Sequence, residues 1–420
     1  LQTYGDFQID FKNQKLVEPN SDANSNKIED ETPNMDTNFI PKDYKLKFSP
    51  DVVVGNPGYS TYFGFQGVTQ MQFSDELGDH QIFVQANLLY NLKNSSFFLA
   101  YNYLPNVVDY QINAFSGAGF INRPNEVNQS TLYRFRKIGM GGNASYPLNL
   151  FQRFDFGFSF LNLTKDNIYY PGTDDISKYL IVPTADYVYD DVLWGMYAPS
   201  KGTRMNFEIT ASPKLGENGS GFGIFKTDIR NYQYISNQFS FASRFSGGFS
   251  FGGNSRNFFL GGTENLFNPT FGSSNSKFGA SGYLPFNDPE DFAFMQMAMP
   301  LRGFNIGELR GTKFFLTNLE LRFPMLTALV AGPLPILIQG VMGSVFVDIG
   351  GAWNDKFTIS ETIIDEFGNE RLQRNNLAMS AGLGIRSYLL GLPLKVDIAW
   401  RNEFYNWSPP VYLFSLGYDF

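Results

Sequence analysis

The sequence predicts an all-β protein, a 16-stranded antiparallel transmembrane β-barrel, on three observations. Apolar and polar residues alternate with period two along most of the chain from residue 44 onward, the pattern of strands that separate an apolar face from a polar one. The apolar phase is dominated by aromatic side chains, with 44 Phe and 23 Tyr in 420 residues. The connections between the alternating segments are by turns short and long. In a soluble sandwich the apolar face of a strand turns inward, whereas in a membrane barrel it meets lipid and the lumen is polar. Aromatic faces and loop asymmetry select the barrel. The charged fraction of 17% fits this choice, against roughly 25% for an ordinary soluble domain.

Residues 1–43 come first and differ in kind. Asp22, Glu29, Asp30, Glu31 and Asp36 lie among Asn, Ser and Pro with few large apolar side chains, the composition of a polar acidic linker. Only Tyr4 to Phe11 has the pattern of a strand, read as the end of an upstream periplasmic domain. No basic region followed by an apolar run opens the chain at Leu1, so a processed or longer protein is expected.

The barrel is assigned to residues 44–420. Its first strand, 44–54, is interrupted by Pro50, which cannot donate to a ladder. Strands at 59–73, 80–90, 96–103 and 107–117 follow, then a long connection at 118–129 and a strand at 130–145. The segment 150–163 carries the clearest signal, with Phe154, Phe156, Phe158 and Phe160 interleaved with Arg153, Asp155, Gly157 and Ser159. A long connection at 164–184 leads to strands at 185–197 and 201–213. In the second of these Met205, Phe207, Ile209 and Ala211 oppose Arg204, Asn206, Glu208 and Thr210. Strands at 221–232 and 238–252 precede the longest connection, 253–311. Strand 312–323 then sets Phe315, Leu319, Leu321 and Phe323 against Asn318, Glu320 and Arg322.

Pro324 to Val347 carries no charge over a length that could cross a bilayer, but Gly332, Pro333, Pro335, Gly340 and Gly343 break it as a helix. A long apolar inner-side connection at 324–339 is expected instead, followed by a strand at 340–352. After a long connection at 353–376 come strands at 377–389, 393–404 and 410–420. In the last, Tyr412, Phe414, Leu416, Tyr418 and Phe420 alternate with Leu413, Ser415, Gly417 and Asp419, and read as a C-terminal strand signal. Sixteen strands put both barrel ends on one side, with short turns in the periplasm and long loops outside.

Several chemistries are disfavoured. The chain has no Cys and a single His, His80, and its net charge of −8 argues against nucleic acid as a partner. Gly248 to Gly252 matches a nucleophile-elbow pattern around Ser250, but it interrupts a Phe-alternating strand and His80 lies near the other end of the barrel. Asp186, Asp190 and Asp191 could hold calcium and read more simply as a solvated rim. The expectation is a non-enzymatic protein with no catalytic set, metal or cofactor.

Within the longest connection, Leu301-Arg302-Gly303-Phe304 resembles the loop signature of the BamA-like surface-antigen superfamily, which includes outer-membrane insertases and two-partner secretion transporters. That resemblance implies a sixth outer loop folded back into the lumen, where Arg302 meets a carboxylate on a strand with an F-x-D pattern. Phe346-Val347-Asp348 supplies that pattern in the next strand but one. Independently, Val345, Val347 and Ile349 form an apolar face that puts Phe346 and Asp348 in the lumen. A guanidinium forks onto a carboxylate through two bonds, so Arg302 is expected to pair with Asp348, with Glu320 as second choice. Gly303 permits a turn that a side chain would block, and Phe304 is expected to wedge the loop tip against the wall.

Tyr189 to Gly195, Phe258 to Gly262 and Asn318 to Pro324 resemble segments of barrels fused behind a TolB-like propeller. Residues 1–43 are too short for the POTRA modules that insertases carry. The resemblance implies a role in inserting or translocating protein, or lipid, at the bacterial outer membrane. Its partners would be outer-membrane lipid, a client polypeptide, and periplasmic or outer-membrane proteins. The alternative is a structural anchor for an upstream domain or complex. A passive pore is disfavoured because the long loop is available to plug the lumen. Pro50, Pro409-Pro410 and Gly417 place the weakest wall where the first strand meets the last.

Overall fold

A computed structural model describes residues 2–4, 7–10, 15–17, 44–60, 64–88, 95–124, 130–195, 198–216, 219–236, 239–267, 288–331, 336–364, 370–389, 392–404 and 406–417. The chain forms two compact units, Leu1–Leu46 and Lys47–Phe420. In the first, Gln2–Tyr4, Phe7–Asp10 and Lys15–Val17 make a small antiparallel sheet. The single strand expected at Tyr4 to Phe11 is therefore two strands of a hairpin. The remainder of the expected linker, residues 18–43, lies outside the described residues.

Beside the two-residue strand Leu193–Trp194, the second unit is, among the described residues, a barrel of sixteen antiparallel strands. They are β1 Ser49–Ser60, β2 Gly64–Ser74, β3 His80–Leu88, β4 Ser96–Tyr103, β5 Asp109–Pro124, β6 Ser130–Asn149, β7 Gln152–Asn167 and β8 Ile176–Asp190. The order continues with β9 Pro199–Ser212, β10 Phe222–Ser236, β11 Phe239–Phe251, β12 Lys313–Ala331, β13 Ile336–Trp353, β14 Leu377–Leu389, β15 Leu392–Arg401 and β16 Val411–Leu416. Consecutive strands are neighbours, and the strand order closes with β16 beside β1. No helix among the described residues is long and apolar enough to cross a membrane, which says nothing of a barrel.

The alternation in β7 resolves as a wall with two faces. Phe154, Phe156, Phe158 and Phe160 are all exposed on the outer surface, while Leu161 and Leu163 of the same strand are buried. In β12 Leu319 and Leu321 are exposed, and Asn318, Glu320 and Arg322 are buried. A soluble sandwich would reverse these burials.

The first strand, expected at 44–54, runs Ser49–Ser60, and three further differences from the sequence reading each have a physical reason. Residues 176–184, expected in a loop, belong to β8, and Pro183 lies within that strand. Pro183 pairs with Phe158 of β7, but the β8–β9 ladder begins only at Thr184, so the missing N–H falls where β8 has one neighbour. The long connection expected at 118–129 is shortened because β5 extends to Pro124. The apolar connection expected along the membrane at 324–339 is instead a continuation of β12 and β13 to Ala331 and from Ile336. A bulge between Pro324 and Leu326 absorbs the proline. Residues 332–335, with Pro333 and Pro335, lie outside the described residues, as do Tyr418 and Phe420.

The connection between β11 and β12 enters the barrel and forms its core. Phe258–Leu260 pairs with Gln296–Ala298 and Leu309–Gly311 in a small sheet, and a short helix spans Pro289–Ala293. Leu260, Leu301 and Phe304 from this loop pack in one apolar cluster with Leu163, Ile224, Leu316 and Ala378 from the inner wall. A second cluster joins Leu266, Met299 and Ile306 to Phe346, Ala399 and Leu413. The lumen is thus filled by its own chain.

Candidate functional site: the loop clamp in the lumen

The register of β12, β13 and β15 brings acidic side chains to one level of the inner wall. Asn318 stands opposite Asp348, Glu320 opposite Phe346, and Asp397 opposite Gly384. Arg302 at the loop tip reaches this level and is 2% exposed, and Glu320 and Asp348 are fully buried. Its Nε and Nη2 donate to the two oxygens of Asp348, both at 2.8 Å, and its backbone N–H donates to Asp348 Oδ2 at 3.0 Å. Nη1 donates to Glu320 Oε2 at 3.0 Å and lies 3.9 Å from Asp397. The fork geometry expected from the residue types is present with both carboxylates engaged at once.

The surroundings fix the guanidinium in place. Asn318 donates through one amide nitrogen to Asp348 Oδ1 at 2.8 Å and to Pro300 O at 2.7 Å, tying the carboxylate to the loop backbone. The Phe346 ring lies under Arg302, with the guanidinium carbon 3.4 Å from the ring centroid. That ring occupies space that a side chain at Gly382 would need, since a Cβ there would meet it at 2.3 Å. Gly303 has φ +87°, and an added Cβ would press on Ala399 and Arg401 at 3.2 Å.

Two further cations balance the carboxylates. Arg322 donates to Glu320 at 2.9 Å and to Pro199 O at 3.1 Å, and Arg386 donates to Asp397 at 2.8 Å. Three guanidiniums and three carboxylates therefore form one buried network. Burial alone works against the Arg302 charge. Asp348 above all, then Glu320 and Asp397, overcome it and hold its pKa well above the ordinary guanidinium range.

Two outlying clamps hold the rest of the loop. Phe304 is buried beside Leu301 and Ala378, and the guanidiniums of Arg374 and Arg401 approach its ring at 4.5 and 5.7 Å. Glu308 pairs with Arg374 at 3.0 Å and lies 3.7 Å from Arg401. Nearer the other end of the loop, Glu290 and Asp291 of the short helix pair with Lys178 at 2.6 Å and Arg256 at 3.2 Å. None of these partners is marked in the sequence by anything but its lumen-facing phase.

The C-terminal strand residues stand apart from the clamp. Tyr412 and Phe414 are exposed on the outer face, whereas Leu413 and Ser415 are buried toward the lumen. The motif around Ser250 is structural: its hydroxyl donates to Gly223 O at 3.0 Å and accepts from Arg256 N–H at 2.7 Å. His80 bonds Tyr101 across 2.6 Å. Asp190 is paired with Arg204, and Asp191 accepts from the Thr203 N–H. Among the described residues no cluster suited to a metal ion is found.

Comparison with known proteins places this architecture. A form of BamA from Haemophilus ducreyi lacking POTRA domains 1–3 superposes with a TM-score of 0.54 at 15% identity, over 90% of this chain and 71% of that one. CdiB from Escherichia coli superposes with a TM-score of 0.50 at 9% identity, over 91% of this chain and 64% of that one. At such identities the likeness is one of fold, and no curated protein matches by sequence. The Omp85 superfamily domain, by contrast, matches residues 80–420, most of the barrel, and the chain belongs to that superfamily.

Proposed function

We propose that this chain inserts or translocates polypeptides at the bacterial outer membrane, with both barrel ends and the short turns facing the periplasm and the long connections outside. The observation that carries this reading is the contrast between a loop pinned in the lumen by buried charges and a closing strand whose edge is partly bonded by that loop. A loop held by Asp348 and Glu320 occupies lumen space that a passive pore would leave open. In a bilayer every backbone N–H and C=O needs a partner, so a thin closure is the place where a wall can exchange partners with another strand. Clients would be extended chains, and outer-membrane lipid would form the surround.

The test is reconstitution of the 420-residue chain into phospholipid vesicles with an unfolded outer-membrane barrel as client. Folding of the client, read by protease protection, is expected to run at least tenfold faster than in empty vesicles. Equal rates with and without the protein would favour the alternative, an anchor for an upstream periplasmic domain. Faster lipid exchange between leaflets without faster client folding would assign lipid as the cargo. An epitope placed in the hairpin Ser360–Ile364 and Glu370–Arg374 should be reached by antibody on intact cells, which tests the orientation.

A further inference from the structure

Part of the β16 edge that faces β1 is bonded by the barrel's own sixth loop. Phe267 N–H donates to Phe414 O at 3.0 Å, Leu416 N–H donates to Asn265 O at 3.3 Å, and Leu266 bridges Ser415 in antiparallel register. On its other edge β16 is laddered to β15 over the same residues, with Phe414 opposite Val396 and Leu416 opposite Leu394. Residues 265–267 therefore bridge to β16 on the side where the strand order puts β1, entering from a turn in which Asn265 has φ +54°.

The segment is shaped for this place. Leu266 is buried in an apolar socket of Met299, Ile306, Phe346, Ala399 and Leu413. Gly262, four residues before it, exchanges both backbone hydrogen bonds with Leu301, at 2.9 and 3.1 Å. Gly262 has φ +79°, and a Cβ there would strike Ile306 at 2.5 Å. The chain thus runs from the pinned Arg302 through the Leu301–Gly262 bridge to the seam, and Phe346, which lies under Arg302, belongs to the same buried cluster as Leu266.

Building on the function proposed above, we propose that Asn265–Phe267 is a cap in cis: a built-in bridge that holds part of the β16 edge at rest and must leave before an extended client can pair there. The recognised segment would be a β-strand with an aliphatic side chain facing the Leu266 socket, since backbone bonds supply affinity and the socket supplies selection. A tethered cap competes at an effective concentration of about millimolar, enough to hold off a free peptide of micromolar affinity.

The probe is a fluorescent synthetic peptide with the sequence Gly262–Phe267, added to the full chain in vesicles. L266D, which places a carboxylate in the socket, should raise peptide binding at least tenfold over the unchanged protein. L266C/S415C, oxidised, should abolish it, and reduction should restore it. Heat-modifiable migration in gels checks that both variants remain folded, and the disulfide pair decides the matter if L266D does not. Equal binding by the unchanged, oxidised and reduced proteins would overturn the cap. If binding follows the predicted order but client insertion is the same with the oxidised lock, the cap stands and the insertion reading falls.

Discussion

Two regions of this barrel are built on opposite terms. The β12–β13 wall is laddered through seventeen residue pairs, from Lys313–Trp353 to Ala331–Ile336, and its inner face holds the Arg302 network. Among the described residues the closing strand β16 is laddered to β15 through six pairs, and part of its opposite edge is bonded by the loop at Asn265–Phe267. Where charges are buried, the protein surrounds them with partners. Where the wall closes, the loop shares the edge of the last strand. The difference teaches that rigidity is concentrated around the loop tip, and that the loop carries it across the lumen to the seam.

The strongest way to break this contrast is to remove its anchor. Arg302→Ala leaves Asp348 and Glu320 buried with too few donors, and should cost about 3 to 5 kcal/mol of unfolding free energy in vesicles. R302D/D348R should recover part of what either single reversal loses, and no recovery would mean that the pair does not act as a unit. Next in size is the outer face, where Phe156→Arg should cost about 2 to 4 kcal/mol near the bilayer midplane. Cysteines at Phe156 and Phe158 should label from lipid, and those at Asp155 and Gly157 from water. Gly303→Ala forces a side chain into the left-handed region against β15 and should cost about 1 to 2 kcal/mol. The smallest effect is expected from Phe304→Leu, which keeps the apolar contact but loses the ring that faces Arg374 and Arg401, about 1 kcal/mol by urea unfolding.

The fold was legible because a barrel strand repeats its signal: four Phe residues at alternate positions cannot all be buried in a narrow lumen. The site was legible in part, since Leu301 to Phe304 and Phe346 to Asp348 carry side chains whose chemistry implies each other. Arg386 with Asp397, and Glu308 with Arg374 and Arg401, were not legible, because pairing across the lumen depends on the relative heights of strands, which no single strand encodes. Two strands run on through prolines: Pro183 sits where its strand has a single neighbour, and Pro324 in a bulge. Asn265–Phe267 gave no signal at all, because three residues are too few to show a period.

Hydrogen exchange in lipid nanodiscs tests the central claim most directly, because it reads the strength of each backbone bond in place. The account predicts that amides of β12 and β13 around Asn318 and Asp348 are the slowest in the barrel, while Phe267 and Leu416, which bond the loop to β16 beside the seam, exchange at least a hundredfold faster. Protection of Phe267 and Leu416 equal to that of β12 and β13 would contradict it, since the seam would then be as firm as the wall it is supposed to relieve.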